Sequence, residues 1–209
     1  MNKILAKGIS VLFHPAIYPI IGIFLILRHL PYHYSHKVVV LSIAMVFIGT
    51  YLIPVLISLL LFRLRLISSL MMNNAKDRRW PYAFGAVCFI FTAHFLYQAE
   101  LASEAYLFLF GSALVIILHL GLLRFLKPSA HMAGIGGFLA LLMAVSAKYS
   151  LNVLPFILLL FFLAGIIGSA RLALDAHTPR ELWLGFISGL LIVFSTIYFI
   201  WAEPLEKEL

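Results

Sequence analysis

Apolar runs long enough to cross a bilayer dominate this chain, and they leave few folds open to it. The bilayer interior offers no hydrogen-bond partner to an exposed backbone, so only helices or closed barrels span it. A spanning helix needs about 20 apolar residues. Seven such runs can be read along the 209 residues: roughly Val11–Leu30, Val38–Phe62, Tyr82–Gln98, Ala105–Phe125, Met132–Ala147, Val153–Ala170 and Leu182–Trp201. With 64% hydrophobic and 11% charged residues, a soluble domain of this size could not hide its apolar surface. The fold class expected is all-α, a multi-pass transmembrane bundle of about seven spans, with six as the lower count. No internal repeat or low-complexity linker divides it, so a single integral-membrane domain over 1–209 is expected.

Other features agree with a membrane location, in a bacterial cell the inner membrane. Tyr18, Trp80, Tyr82, Tyr97, Tyr106, Trp183 and Trp201 sit mostly near span ends, as interfacial aromatics do. The stretch after Ser10 is long, holds His14, Pro15 and Pro19, and has no small-residue cleavage site, so it reads as a retained first helix. Cys88 is the lone cysteine and can form no internal disulfide. The net charge of +7 points to anionic headgroups or phosphate. No basic run with interleaved aromatics supports nucleic-acid binding.

Following the chain from side to side sorts the charges. If the N-terminal side is side A, the loops Arg63–Pro81, Arg124–His131 and Arg171–Glu181 all fall there. Side A then holds Lys3, Lys7, Arg63, Arg65, Lys76, Arg78, Arg79, Arg124, Lys127, Arg171 and Arg180. Side B holds only Arg28, Lys37, Lys148 and Lys207. Basic loops are retained in the cytoplasm, but topology does not require the histidines and the glutamate that side A also carries.

The third loop is the most specific. His177 follows Arg171 by six positions, and Glu181 follows His177 by four. If Pro179 opens the last helix, its missing N–H costs nothing there. A Glu181–His177 hydrogen bond would fix the imidazole tautomer and leave the other ring nitrogen free to attack. Arg171 offers a planar fork of donors to phosphate oxygens. In the second loop, His131 is placed as a general acid, while Ser129 and the N–H groups of a helix start can hold an anion; Lys127 adds a cation. In the first loop, Lys76, Arg78 and Arg79 can neutralise a phosphate, with Asp77 among them. His14 lies on the same side and can approach the site. His29, His33 and His36 read as solvated on side B, and His94 and His119 as hydrogen-bonded within the bundle.

These residues resemble the motifs of the type 2 phosphatidic acid phosphatase superfamily. Ala170 to Glu181 is similar to its third motif: Ser-Arg, five residues, His, three residues, Asp. Pro128-Ser-Ala-His131 resembles its Pro-Ser-Gly-His, and Lys76 to Pro81 resembles its first motif, a Lys and an Arg-Pro pair. The resemblance covers about Lys76 to Gly189. It implies a helical bundle that hydrolyses lipid phosphates without metal or other cofactor. His177 would be the nucleophile that becomes phosphohistidine, Glu181 its orienting acid, and His131 the donor to the leaving oxygen. Lys76, Arg78, Arg79, Lys127, Ser129 and Arg171 would hold the phosphate. The chain departs from the pattern at Ala170, Ala130 and Glu181, which stand for Ser, Gly and Asp. It also lacks the six-residue gap of the first motif, and Trp80 separates Arg79 from Pro81.

Two other readings stay open. A lipid-phosphate binder or transporter would need the basic face but not His177. A metal-dependent enzyme could use Asp175, His131, His177 and Glu181, although the surrounding cations would repel a divalent ion. Phosphatidate, phosphatidylglycerophosphate and polyprenyl diphosphate all suit the basic face. The charge count puts side A in the cytoplasm, whereas the resemblance favours an exoplasmic site.

Overall fold

The computed structural model of the chain describes residues 1–30, 33–70, 72 and 74–201, apart from the Trp201 side chain. Lys207, placed above on side B, and the ring of Trp201 lie outside that description, as does Asn73 of the Arg63–Pro81 loop. Eight helices follow in order: α1 Lys3–Leu12, α2 Ile17–His29, α3 His36–Arg63, α4 Ala75–Gln98, α5 Ser103–Leu122, α6 Ala130–Tyr149, α7 Leu154–Ala173 and α8 Pro179–Trp201. No strand occurs among the described residues. Helices α3 to α8 are each long and apolar enough to cross a membrane. The protein is a multi-pass helical membrane bundle.

The first expected span is where the chain departs from the sequence reading. Instead of one helix over Val11–Leu30, it forms α1 and α2, bent by 41° at a short break. Pro15 lies in that break, where it supplies no N–H and disfavours helix in the residue before it. The Asn2 side chain caps α1 by accepting from Ile4 N–H at 2.9 Å. Only Ala6 and Ser10 of α1 are buried, and α1 lies against α7.

Two other helices start or bend unexpectedly. Helix α4 begins at Ala75 rather than at Tyr82, so Lys76 to Trp80 are helical and Pro81 sits inside the helix. Helix α3 contains a π-helical turn, Ile48–Leu52, just before Pro54. The wider turn accommodates a residue without an N–H, and π turns of this kind recur at functional sites.

The most extensive helix contact joins α6 to α8. A Cβ on Gly185 would collide with the Ser129 carbonyl oxygen, and one on Gly189 with that of Ala133. Glycine there lets two backbones touch, as small residues do between membrane helices. At the opposite end of the bundle, Glu104 is fully buried and receives the Lys148 ammonium and the Tyr149 hydroxyl, the latter at 2.7 Å. An acid just outside the expected Ala105–Phe125 span is thus an internal tie between α5 and α6.

Candidate active site

The turn between α7 and α8 is built from two local motifs. Arg171 lies in the last turn of α7 rather than in the loop. Ala176 N–H bonds to Arg171 O at 3.1 Å and Asp175 N–H to Leu172 O at 2.9 Å, with Asp175 at φ 51°. That is a Schellman ending, with aspartate in the left-handed position usually given to glycine. Pro179 opens α8 as expected. Thr178 precedes it, with Glu181 three residues on: Glu181 Oε2 accepts from Thr178 N–H at 2.9 Å, and Thr178 Oγ1 from Glu181 N–H at 3.4 Å. This is a capping box. The helix end fixes Arg171, the helix start fixes Glu181, and His177 is held between them.

His177 is 8% exposed. Its Nδ1 lies 3.0 Å from Lys127 O and 3.3 Å from Glu181 Oε2. Both partners are acceptors, so Nδ1 carries the proton and donates. Nε2 is then the unprotonated nitrogen, with its lone pair available. Glu181 Oε1 also accepts from Lys127 N–H at 3.0 Å, and Ser129 N–H donates to Glu181 O at 3.0 Å. The second and third loops are therefore joined through backbone atoms.

Cations surround the ring. Arg78 is 9% exposed. Its guanidinium donates to Met72 O at 2.9 Å, Tyr82 Oη at 3.3 Å and Pro128 O at 3.4 Å, which ties the first loop to the second. Arg171 Nη1 donates to Ser10 Oγ at 3.1 Å, while its buried Nε–H has no acceptor among the described residues. Burial, then the charges of Arg78, Arg171 and Lys127, hold His177 below the usual histidine pKa; Glu181 pulls the other way. Burial and the neighbouring Arg78 and Arg171 likewise lower the Lys127 ammonium against the pull of Glu181. A neutral imidazole among cations is an arrangement for an anion and a nucleophile.

His131 joins the site from the start of α6. Its Nε2 lies 3.0 Å from Ser10 O and so donates to it. The His14 ring stands edge-on to it with centroids 5.7 Å apart. Ser10 was not legible as a site residue. It enters because α1 folds onto α7, bringing one hydroxyl and one carbonyl to Arg171 and His131.

Other candidates fall elsewhere. Lys76 and Arg79 are exposed. At 100° per residue they lie on faces of α4 other than that of Arg78. Asp77 turns to Ser68, whose N–H and hydroxyl it accepts at 2.8 and 2.6 Å. Ser129 is fully buried and caps α6 through Met132 N–H, so its hydroxyl serves the helix rather than an anion. Asp175 meets Lys3 at 3.4 Å in the open, and no group of three or more His, Cys, Asp or Glu among the described residues is placed to hold a metal. His119 Nε2 bonds Ser188 Oγ of α8 at 2.8 Å, as expected of a histidine inside the bundle, whereas His94 is exposed beside Phe95. His29, His33 and His36 are exposed.

Comparison with protein-family profiles, curated proteins and solved structures returns no match.

Proposed function

We propose that the protein is a metal-independent lipid phosphate phosphatase, hydrolysing a lipid phosphomonoester or diphosphate at the site around His177. The carrying observation is the His177 ring. Its Nδ1 proton is committed to Glu181 and Lys127 O, and it stands among Arg78, Arg171 and Lys127. In the first step His177 Nε2 attacks phosphorus, and the bond from phosphorus to the lipid oxygen breaks. His131, whose Nε2–H is held by Ser10 O, takes up a second proton at Nδ1 as the anionic substrate binds, and gives it to the departing oxygen. In the second step water attacks the phosphohistidine and passes its proton to His131, so phosphate leaves and both histidines return to their starting states. The arginines stabilise the charge on the transferring group. The Arg171 Nε–H, left without an acceptor, is a donor suited to a phosphate oxygen.

The proposed setting is a cell membrane, the bacterial inner membrane in that context, with the headgroup at the end of the bundle that carries the three loops. Phosphate release from a panel of lipid phosphates in detergent tests the reading. Wild type should release phosphate without added metal, and His177→Ala should not. Lipid-phosphate binding without release by wild type would favour the binder or transporter instead.

A further inference from the structure

The site described so far accounts for a headgroup and leaves the rest of the lipid unassigned. A cavity of about 280 Å³ lies inside the bundle. Its lining includes His14 and Ala130, which adjoin His131, and Tyr82, which bonds Arg78. It therefore adjoins the candidate site and runs inward from it, with mostly apolar walls.

Two features mark the cavity as more than a packing gap. Tyr18 lines it, is 5% exposed, and has a buried hydroxyl with no partner among the described residues. Buried polar groups are rarely left so. The serine and threonine hydroxyls on the wall are occupied within their own helices: Thr50 with Val46 O, Ser58 with Pro54 O and Ser112 with Phe108 O. Tyr18 thus keeps a proton to give. Its ring rests on Gly134, where a Cβ would come within 2.8 Å of the ring edge, and against Phe138. Gly134 is about one helical turn, ~5 Å, deeper along α6 than His131. The second feature is the π turn of α3, which contributes Thr50 and Tyr51 to the cavity wall.

We infer that this cavity takes one hydrocarbon chain of the lipid, and that the Tyr18 hydroxyl donates a hydrogen bond to an ester carbonyl a turn below the phosphate. The inference rests on the lipid-phosphate reading of the adjoining site. Ligand pockets typically measure about 300–1,000 Å³, so a cavity of about 280 Å³ suits one chain rather than two. An acylglycerol phosphate has an acceptor at that depth, whereas a polyprenyl phosphate has none. Tyr18 is then a specificity residue rather than a catalytic one.

Native mass spectrometry of the full chain in detergent tests this. The protein is offered equal amounts of a single-chain acylglycerol phosphate and its alkyl-ether counterpart, with phosphate release followed in parallel. One hydrogen bond gives a preference for the ester of about three- to tenfold. Tyr18→Phe keeps the ring on Gly134 and should bring the ratio to one by weakening only the ester. Ser112→Phe fills the cavity and should weaken both lipids. Equal binding of the two lipids by wild type overturns the inference, as does an unchanged ratio or an equal loss of both in Tyr18→Phe. An ester preference without phosphate release would sink the phosphatase and leave the cavity standing. Release without a preference would do the reverse.

Discussion

His177 donates an Nδ1–H hydrogen bond to Glu181, four residues away along the chain and 3.3 Å away in space. The same carboxylate caps the start of α8 and holds Lys127 N–H. One side chain therefore serves the helix, the neighbouring loop and the imidazole. Glu181→Gln has only one acceptor end, so either Lys127 N–H or both Thr178 N–H and His177 Nδ1–H lose this partner. Phosphate release should fall about 10- to 100-fold, as when the orienting partner of a functional histidine is removed. The helix should survive, because glutamine also serves in a capping box. Circular dichroism and turnover on one preparation separate the two effects.

The first-loop cations should not behave alike. Arg78 reaches three acceptors, one of them Pro128 O of the second loop, whereas Lys76 and Arg79 are exposed on other faces of α4. Arg78→Ala should lower kcat/KM at least tenfold, from the loss of charge-assisted bonds of about 1.5–3 kcal/mol. Lys76→Ala and Arg79→Ala should stay within about twofold, as exposed charges do. If all three variants lose activity equally, the inward assignment of Arg78 is wrong.

The pH profile carries a sign. A nucleophilic imidazole must be neutral, so activity should fall as pH drops through the pKa of His177. Burial and the nearby cations set that pKa below the usual 6.5. The acid limb of kcat/KM in wild type should therefore lie below 6.5. Arg171→Ala removes a positive neighbour, favours the imidazolium and should move the limb up. Glu181→Gln removes a negative neighbour and should move it down. Shifts in the opposite directions would assign the limb to another group.

The buried tie at the far end should dominate stability. Lys148→Met leaves the Glu104 carboxylate with the Tyr149 hydroxyl but without its cation. Breaking a buried pair in this way costs about 3–5 kcal/mol. Lys148→Met combined with Glu104→Gln should recover most of the loss. Thermal unfolding in detergent reads both, and a double variant as unstable as the single one counts against the tie.

The two ends can be told apart chemically. In a Cys88→Ser background, Arg124→Cys and Arg180→Cys should label from one side of the membrane. His33→Cys and Asn152→Cys should label from the other. All four original residues are exposed. Mixed labelling within either pair would break the seven-crossing topology.

The helices were legible because apolar length is all that a bilayer demands of a span. The His177–Glu181 pair was legible because Pro179 sets the phase of α8. Less could be read where phase was hidden. The start of α4 at Ala75, and not a proline seven residues into the run, decides which of Lys76, Arg78 and Arg79 turns inward. The Schellman ending of α7 carries aspartate where glycine would have announced it. Helix α1 lies mostly ahead of the expected Val11–Leu30 span, in a segment interrupted by Lys3 and Lys7, and Ser10 lies there with it. Glu104 falls one residue short of the expected Ala105–Phe125 span, although its side chain is fully buried inside the bundle.

The glycine contacts between α6 and α8 also have a mechanical meaning. Backbones that touch through Gly185 and Gly189 leave no side-chain layer to shear. The two helices are held backbone to backbone there, and His131, His177 and Glu181 all sit at their joined ends. A ligand entering the bundle therefore meets a stiff anvil on that side. Whatever gives way must lie across from it, among α1 to α4, where a 41° break and a π turn already interrupt the helical ladder.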